Sequence, residues 1–399
     1  MKDLVPQMDN LKLRASWGSI GNDSQLNASQ FVSGWQFEDR FILGGAGNSS
    51  ASITNGMKEA NLANPNITWY KVMTTNVGLD GSFWGGKLSF EFDYFYRKTT
   101  GYPATRNTSL PTTSGIPLPQ ENLNSSDNRG FELSLGTVQR IGNVNLQIKG
   151  NVAYAREKDL YKEQALPLNQ YKNWRDNGAY RWKNVTWGYE HIGQFQSYDE
   201  IYNSPIQDGK GNSSLRPGDI KYKDLNGDGL IDANDEKVIG KGTFPDLNFG
   251  LTLAADWKGF DVNILFQGAS NYTQVLNALT SPFRGPGEGN GFRVWMDSWH
   301  KADYNDPDSE WVPGKFPSLR IEGNDNNSKK STYWTTDAYY VRLKSIEIGY
   351  TIPKNLLSKV GIEHLRVYAN AYNPLTITNV KYTDPVSYTH LRAHETVLD

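Results

Sequence analysis

The sequence predicts an all-β protein built of antiparallel strands, and three observations lead to this prediction. Apolar and polar residues alternate with a period of two, most clearly over residues 87–97 and 143–155, as in strands with one apolar face. Short turns such as Gly142-Asn143 and Lys258-Gly259 separate neighbouring segments. Aromatic residues make up 13% of the 399 residues, and 38 residues are glycine, a composition typical of strands, tight turns and loops.

Further strands are expected wherever the same alternation recurs. These segments are residues 131–135, 247–257 and 260–266. Another strand is expected over residues 338–353, but its apolar residues change phase between Leu343 and Ile346. A change of phase within a strand predicts a β-bulge or a bend.

The connections between the predicted strands are of two kinds. Short turns close some ends, whereas long, polar and aromatic-rich segments, residues 157–245 and 271–336, connect others. Short turns at one end and long loops at the other are typical of an outer-membrane β-barrel. A large soluble sandwich or propeller with one wet sheet face shows the same alternation. Periodicity alone therefore leaves both architectures open.

Composition limits the function further. The net charge of −2 gives no reason to expect nucleic acid or an acidic substrate as a partner. The absence of cysteine excludes disulfides, thiolate nucleophiles and zinc–sulfur sites within this sequence. No apolar run approaches the roughly 18 residues that a membrane-spanning helix needs. Residues 1–6 lack the apolar core of a signal peptide, so the chain is either cytoplasmic or lacks its true N-terminus.

Residues 224–235 have the pattern of an EF-hand-type calcium loop. Gly229 stands where such a loop turns sharply, and oxygen ligands on a tightly curled loop suit Ca²⁺. Asp235 replaces the usual bidentate glutamate, which should weaken the site. The alternative is a polar turn that binds no ion. The predicted ligands are Asp224, Asn226, Asp228, Asp232 and Asp235 through their side chains and Leu230 through its backbone carbonyl.

The remaining patterns give a candidate contact surface but no catalytic site. The sequence contains no H-E-x-x-H, G-x-S-x-G or P-loop pattern, and we predict that the protein is not an enzyme. Trp174, Trp182 and Trp187 alternate with basic residues. Such flat rings beside polar groups could stack on sugars or contact a partner protein. Ordinary packing within the loop is the alternative.

Several segments taken together resemble the SusC/RagA family of TonB-linked outer-membrane transporters of Bacteroidota. Asn128-Arg-Gly-Phe-Glu132 is similar to a strand start common in TonB-dependent receptors, and Arg216-Pro-Gly-Asp219 leads into the acidic loop in the order found in the family. The similarity covers about residues 10–385. The segments that carry it are residues 11–22, 128–132, 193–201, 216–229, 259–268, 338–353 and 373–385.

The resemblance implies a partial antiparallel transmembrane β-barrel with long extracellular loops. We expect residues 1–385 to form the C-terminal half of a plugged barrel of about 22 strands. The signal peptide, the plug and the TonB box are expected upstream of Met1. Residues 386–399 depart from the family pattern and read like a translated sequencing adapter, so we expect them to be a non-native tail.

The function that the resemblance implies is nutrient import across the outer membrane of a Gram-negative bacterium. The expected substrates are oligosaccharides, with peptides as a second class. The expected partners are a SusD-like surface lipoprotein, the TonB complex and outer-membrane lipid. A bound Ca²⁺ would be structural and would stiffen an external loop. The alternative function is that of a soluble, secreted, calcium-dependent carbohydrate-binding or adhesion protein built of β-sandwiches.

Overall fold

The computed structural model confirms the all-β, antiparallel class. The strands are β1 (Met8–Asn22), β2 (Gly34–Leu43), β3 (Ser52–Asn61), β4 (Tyr70–Phe83), β5 (Leu88–Thr105), β6 (Gln120–Ile141), β7 (Val144–Tyr161), β8 (Val185–Tyr189), β9 (His191–Gln194), β10 (Ile220–Tyr222), β11 (Glu236–Lys241), β12 (Leu247–Trp257), β13 (Phe260–Val275), β14 (His300–Lys301), β15 (Trp311–Val312), β16 (Thr335–Thr351) and β17 (Arg366–Thr378). The structure describes residues 6–26, 28–43, 52–106, 118–165, 169–276, 279, 292–320, 325–358 and 361–385. The predicted tail, residues 386–399, lies outside the described residues.

The helices are short and lie between the strands. They are α1 (Gln170–Asp176), α2 (Tyr198–Tyr202), α3 (Asp325–Ser328) and α4 (Lys354–Leu357), with 3-10 turns at Ala28–Phe31, Ala233–Asp235 and Arg293–Asp297. In the part of the chain that the structure describes, no helix is both long and apolar enough to cross a membrane.

The chain is divided into two compact units. The first comprises Met1–Val138 and Ala153–Lys183, and the second comprises Gln139–Val152 and Asn184–Asp399. The residues of β7 are shared between them. The prediction of a single barrel segment over residues 1–385 stays a prediction.

The first unit contains an antiparallel sheet in the order β1-β4-β5-β6. Its register places Leu13 opposite Leu79, Leu79 opposite Phe92, and Phe92 opposite Leu133. Because side chains alternate between the two faces of a strand, these residues share one face of the sheet. The predicted alternation in β5 and β6 therefore corresponds to one apolar face.

The two faces of this sheet differ in chemistry. On the apolar face, Leu13 is 73% exposed and Trp17 is 68% exposed. On the opposite face, the Arg14 guanidinium donates to Asp80 at 2.7 Å and to Asp93 at 2.8 Å. The large apolar side chains thus lie at the surface, while ion pairs occupy the other face.

The second unit contains a matching antiparallel sheet in the order β12-β13-β16-β17. On its apolar face, Ile348 is 53% exposed and Val367 is 61% exposed. On its other face, Arg366 donates to Glu347 at 2.7 Å and also pairs with Asp261. Each unit therefore has one exposed apolar sheet face and one face with an arginine between two carboxylates.

The predicted irregularity in β16 is confirmed. The register of β13 with β16 shifts between Leu265 and Phe266. The register of β16 with β17 shifts between Leu343 and Ser345. These shifts lie where the sequence changes phase, so a bulge keeps the apolar residues of β16 on one face.

Glycines are required at specific points of the strands and turns. Lys258 and Gly259 both have positive φ, 47° and 88°, and they join β12 to β13 in a tight hairpin, where such backbone angles are common. At Gly130, in the Asn-Arg-Gly-Phe-Glu segment, a Cβ would collide with the carbonyl oxygen of Tyr154. The glycine in that segment is therefore needed because two strands approach closely.

The largest buried hydrophobic cluster of the second unit lies mainly in its loops. It contains Ile220, Tyr222, Ile231, Leu276, Leu279, Trp295, Phe316 and Trp334. A smaller cluster joins Phe195, Ile201 and Leu215. The long loops therefore have a core of their own, whereas the apolar face of the sheet has none of these residues.

Candidate functional site

The predicted calcium loop is a tightly folded turn in the second unit. The Asp224 carboxylate accepts the backbone N–H groups of Gly227 at 2.7 Å and of Gly229 at 2.9 Å. Both glycines have positive φ, 75° and 81°, which a side chain would disfavour. The first predicted ligand therefore also holds the turn in shape.

The other acidic side chains of the loop have similar structural roles. Asp228 accepts from the Leu230 N–H at 2.9 Å. Asp235 is fully buried and accepts from Leu225 N at 2.8 Å and from Asp232 N at 2.9 Å. Asp232 and Asp235 together form a capping box on a 3-10 turn.

Ile231 fixes the loop to the body of the second unit. Its side chain is buried in the largest hydrophobic cluster. Its N–H donates to Ile206 O at 2.8 Å, and Ile206 N donates to Gly229 O at 2.9 Å. The loop is thus held by a short parallel pairing and by an apolar plug at the position the sequence predicted.

Some features of this loop suit a Ca²⁺ site and others do not. Its donors are all oxygen atoms, as a hard cation requires. Among the described residues, however, no three acidic or histidine side chains come together closely enough to hold a metal ion. The carboxylates of Asp224, Asp228 and Asp235 are turned toward backbone N–H groups instead. Calcium binding therefore remains a prediction.

Two of the predicted contact tryptophans lie in the first unit. Trp174 is in α1, is 56% exposed and lies 5.8 Å from the Tyr171 ring. The Trp182 ring has the Arg156 guanidinium at 4.3 Å and that of Arg129 at 5.7 Å. Trp174 is thus the more exposed ring, and cations lie over both rings, since the Arg181 guanidinium is 5.8 Å from the ring of Trp174.

Trp187 is placed differently. It lies in β8 of the second unit, opposite Val238 of β11, and is half-buried. A role for Trp174, Trp182 and Trp187 in binding substrate or partner remains a prediction.

The structure reveals a polar cavity in the first unit that sequence reasoning missed. It has a volume of about 630 Å³. Tyr70 and Tyr102 lie in its wall with ring centroids 5.3 Å apart. Lys183 pairs in the same wall with Glu157 at 2.6 Å and with Asp159 at 3.2 Å. These residues come from strands and loops far apart in sequence, so no local motif could have indicated the cavity.

This cavity combines the groups that bind hydroxyl-rich ligands. Its aromatic rings offer flat apolar surfaces, and its hydroxyl, amide and charged groups offer hydrogen bonds. A few fixed polar groups beside aromatic surface are typical of a small-molecule site. The remaining lining residues are Asn22, Val72, Arg97, Thr99, Asn124, Ser125, Ser126 and Lys162.

Comparisons of sequence and structure identify relatives of the chain, although no family model matches it. TonB-dependent receptor P3 of Formosa agariphila is 28% identical over 94% of this chain and 35% of its own length. TonB-dependent receptor SusC of Bacteroides thetaiotaomicron is 24% identical over 96% of this chain and 36% of its own length. This chain thus spans about a third of the length of these relatives.

A solved structure shows the same fold. A chain of the RagAB peptide transporter matches 95% of this chain and 38% of its own length, with a TM-score of 0.65 and 21% identity. The antiparallel strands described above therefore have the same fold as part of that transporter chain. The similarity predicted from the sequence motifs is confirmed: this chain is similar in sequence to TonB-dependent receptors, SusC among them, and shares its fold with part of a RagAB chain.

Proposed function

We propose that this chain forms part of the wall and the external loops of an outer-membrane importer energised through TonB. The observation that carries this proposal is the opposition of the two sheet faces in each unit. Leu13 and Ile348 are exposed on the apolar faces, while Arg14 and Arg366 pair with carboxylates on the opposite faces. An apolar face toward lipid and a charged face toward a wet interior are the chemistry of a transmembrane barrel.

The same observation argues against a soluble carbohydrate-binding sandwich. In such a protein the apolar faces of two sheets pack together and form the core. Here the largest buried cluster lies in the loops, and the apolar strand residues Leu13, Trp17 and Val367 are more than half exposed. The sandwich alternative is therefore not favoured.

We propose oligosaccharides as the substrate class. The cavity with Tyr70 and Tyr102 supports this choice because paired rings beside hydroxyl and amide groups suit sugar rings. The solved relative is a peptide transporter, so peptides are the second candidate class. Its similarity concerns the fold and does not favour either substrate.

Uptake by the full-length protein in its native host tests the function and the substrate class. Cells lacking the gene should lose growth on an oligosaccharide, and the Tyr102→Ala variant should restore it poorly. Tyr94→Ala is the matched control, since Tyr94 lies on the apolar face, opposite Phe131. Loss of peptide uptake with normal oligosaccharide uptake would reject the oligosaccharide proposal. If cells lacking the gene lost neither oligosaccharide uptake nor peptide uptake, the import proposal itself would be rejected.

We further propose that the external loops contact a SusD-like lipoprotein. The loops are suited to this role because their own hydrophobic cluster keeps them ordered, and Trp174 presents an exposed ring. Co-purification of the lipoprotein with the full-length receptor tests the partnership. If the Trp174→Ala receptor co-purified with as much lipoprotein as the wild type, Trp174 would not be part of the contact.

Calcium in the loop around Asp228 is also a proposal. Asn226 and Asp228 are exposed, and their oxygens could turn toward a hard cation. Calorimetric titration of the full-length protein with Ca²⁺ should show one site that Asp228→Ala weakens. Asp325→Ala in a separate loop is the control. Identical titrations of the wild-type protein and Asp228→Ala would reject the site.

A further inference from the structure

A second cavity lies wholly within the second unit and is lined by residues from 198–216, 319–320 and 325–329. Its volume is about 1030 Å³, which is large enough for a ligand of one or two sugar rings. None of the calcium-loop residues lines it. The lining residues are Tyr198, Gln207, Asp208, Lys210, Ser213, Ser214, Leu215, Arg216, Leu319, Arg320, Asp325, Asn326 and Lys329.

The wall of this cavity is held in place by buried contacts. Leu215 packs in a cluster with Phe195 and Ile201. Gln207 is buried, and its amide donates to the Asn326 side chain at 2.9 Å. The polar groups are therefore fixed before any ligand arrives, which favours binding.

The charges of the lining residues are unbalanced. Four are basic, Lys210, Arg216, Arg320 and Lys329, and two are acidic. Of the acidic pair, Asp208 accepts hydrogen bonds from the backbone N–H groups of Lys210 at 2.7 Å and of Ser214 at 2.9 Å. These hydrogen bonds hold the pKa of Asp208 at about 2. Asp208 therefore stays ionised, and its oxygens are occupied by hydrogen bonds from the loop that carries it.

The guanidinium of Arg216 has only neutral hydrogen-bond acceptors among the described residues. It donates to Ser318 Oγ at 2.7 Å and to the carbonyl of Leu319. Within the described ranges, no carboxylate lies within ion-pair distance of Arg216. Burial lowers the pKa of Arg216, and the neighbouring positive charge of Arg320 acts in the same direction.

Lys329 and Arg320 also have charged or hydrogen-bonding groups that no described residue satisfies fully. Lys329 donates to the carbonyl of Gln207 at 2.7 Å, and its ammonium has no ion pair with another described residue. Burial lowers its pKa as well. Arg320 pairs with Asp219, yet its Nε is buried without an acceptor among the described residues. An orphaned buried donor of this kind calls for a ligand atom or water.

We propose that this cavity binds an oxyanion, a carboxylate or a sulfate, carried by a small soluble ligand such as a hexuronate. Arg216 supplies the Nη1 and Nη2 N–H groups that do not donate to Ser318 and Leu319, and two such groups can bind an oxyanion. Lys329 and Lys210 add positive charge, and the Tyr198 ring and the hydroxyls of Ser213 and Ser214 contact the rest of the ligand. The net charge of −2 for the whole chain conceals this local excess of positive charge.

Binding to the purified full-length protein tests the proposal without reference to transport. Titrations at low salt would use glucuronate, glucose and N-acetylalanine as probes. Glucuronate should bind at least about tenfold more tightly than glucose, the effect of one charge-assisted hydrogen bond. Added salt should weaken glucuronate binding. Tighter binding of glucuronate than of N-acetylalanine would assign the carboxylate to a sugar, and the reverse would assign it to a peptide.

Two variants locate the binding in this cavity. Arg216→Met should lower the affinity for glucuronate about tenfold or more. Lys210→Met should lower it about threefold and should leave the fold unchanged, since Lys210 is exposed. Arg106→Met, at an exposed ion pair of the first unit, is the matched control. Equal binding of glucose and glucuronate, or unchanged affinity in both cavity variants, would overturn the proposal. Failure here leaves the importer proposal intact, because uptake is measured separately.

Discussion

The buried ion pair between Asp219 and Arg320 gives the sharpest prediction about the loops. Asp219 is fully buried, and the Arg320 side chain is 16% exposed. Asp219 also accepts from the Asn327 amide at 2.8 Å and from the backbone of Arg216 at 3.0 Å. Arg320→Met would leave the carboxylate buried without its counter-ion. We expect this to cost about 3–5 kcal/mol of local stability.

An exposed pair provides the comparison. Arg106 and Glu121 are 3.1 Å apart, with side chains 36% and 40% exposed. Because water screens such a pair, Arg106→Met should cost at most about 1 kcal/mol.

Hydrogen exchange of the purified protein, read over residues 195–222, measures the difference. Arg320→Met should speed exchange there roughly a hundredfold or more, since each 1.4 kcal/mol is about a factor of ten. Adding Asp219→Asn to Arg320→Met should restore part of the protection, because the unpaired charge is removed. The reasoning would be refuted if Arg320→Met changed exchange no more than Arg106→Met.

Three further predictions concern other parts of the chain. Leu13→Lys should lower the free energy of unfolding in lipid vesicles by about 2–4 kcal/mol, whereas Ser16→Lys on the charged face should change it by less than about 0.5 kcal/mol; equal effects would contradict the assignment of faces. The pKa of Asp208 is lowered from 3.8 to about 2, so its stabilising effect should be fully present above pH 4 and lost as the pH falls toward 2; the stability difference from Asp208→Asn should shrink over that range, and a constant difference would contradict it. Trp334 is 1% exposed and donates to Asn327 O at 2.6 Å, so Trp334→Ala should cost about 3–5 kcal/mol and increase proteolysis of the loops, and a cleavage pattern like that of the wild type would argue against a loop core.

The strands could be predicted where one face is apolar. The alternation over residues 247–257 coincides with β12, Leu247–Trp257. The phase change near Leu343 marked a real bulge. The predicted strands were too short where the observed strands continue into polar sequence. For example, β6 begins at Gln120, well before the alternation that starts at Phe131. Polar residues there carry no periodic signal, and pairing with the neighbouring strands, β5 among them, holds them extended.

The sites were less predictable than the strands. The acidic loop was visible because its ligands are close in sequence, and the position of Ile231 as a buried plug agrees with the pattern. Neither cavity could be predicted from the sequence. Arg216 and Lys329 line one cavity because Asn326 and Asn327 form hydrogen bonds with Ile220, more than a hundred residues away. Cations on Trp182 were likewise unforeseen, since Arg129 and Arg156 come from other strands.

We propose that the apolar strand faces contact lipid and that the charged faces contact water. Single cysteines are suitable probes because the sequence contains none. Spin labels introduced by Leu13→Cys and Val77→Cys should collide mainly with oxygen dissolved in the bilayer, whereas labels at Lys12→Cys and Asn76→Cys should collide mainly with a water-soluble nickel complex. Labels at Leu13 and Val77 that are immobile and shielded from both reagents, as in a dry protein core, would contradict the account.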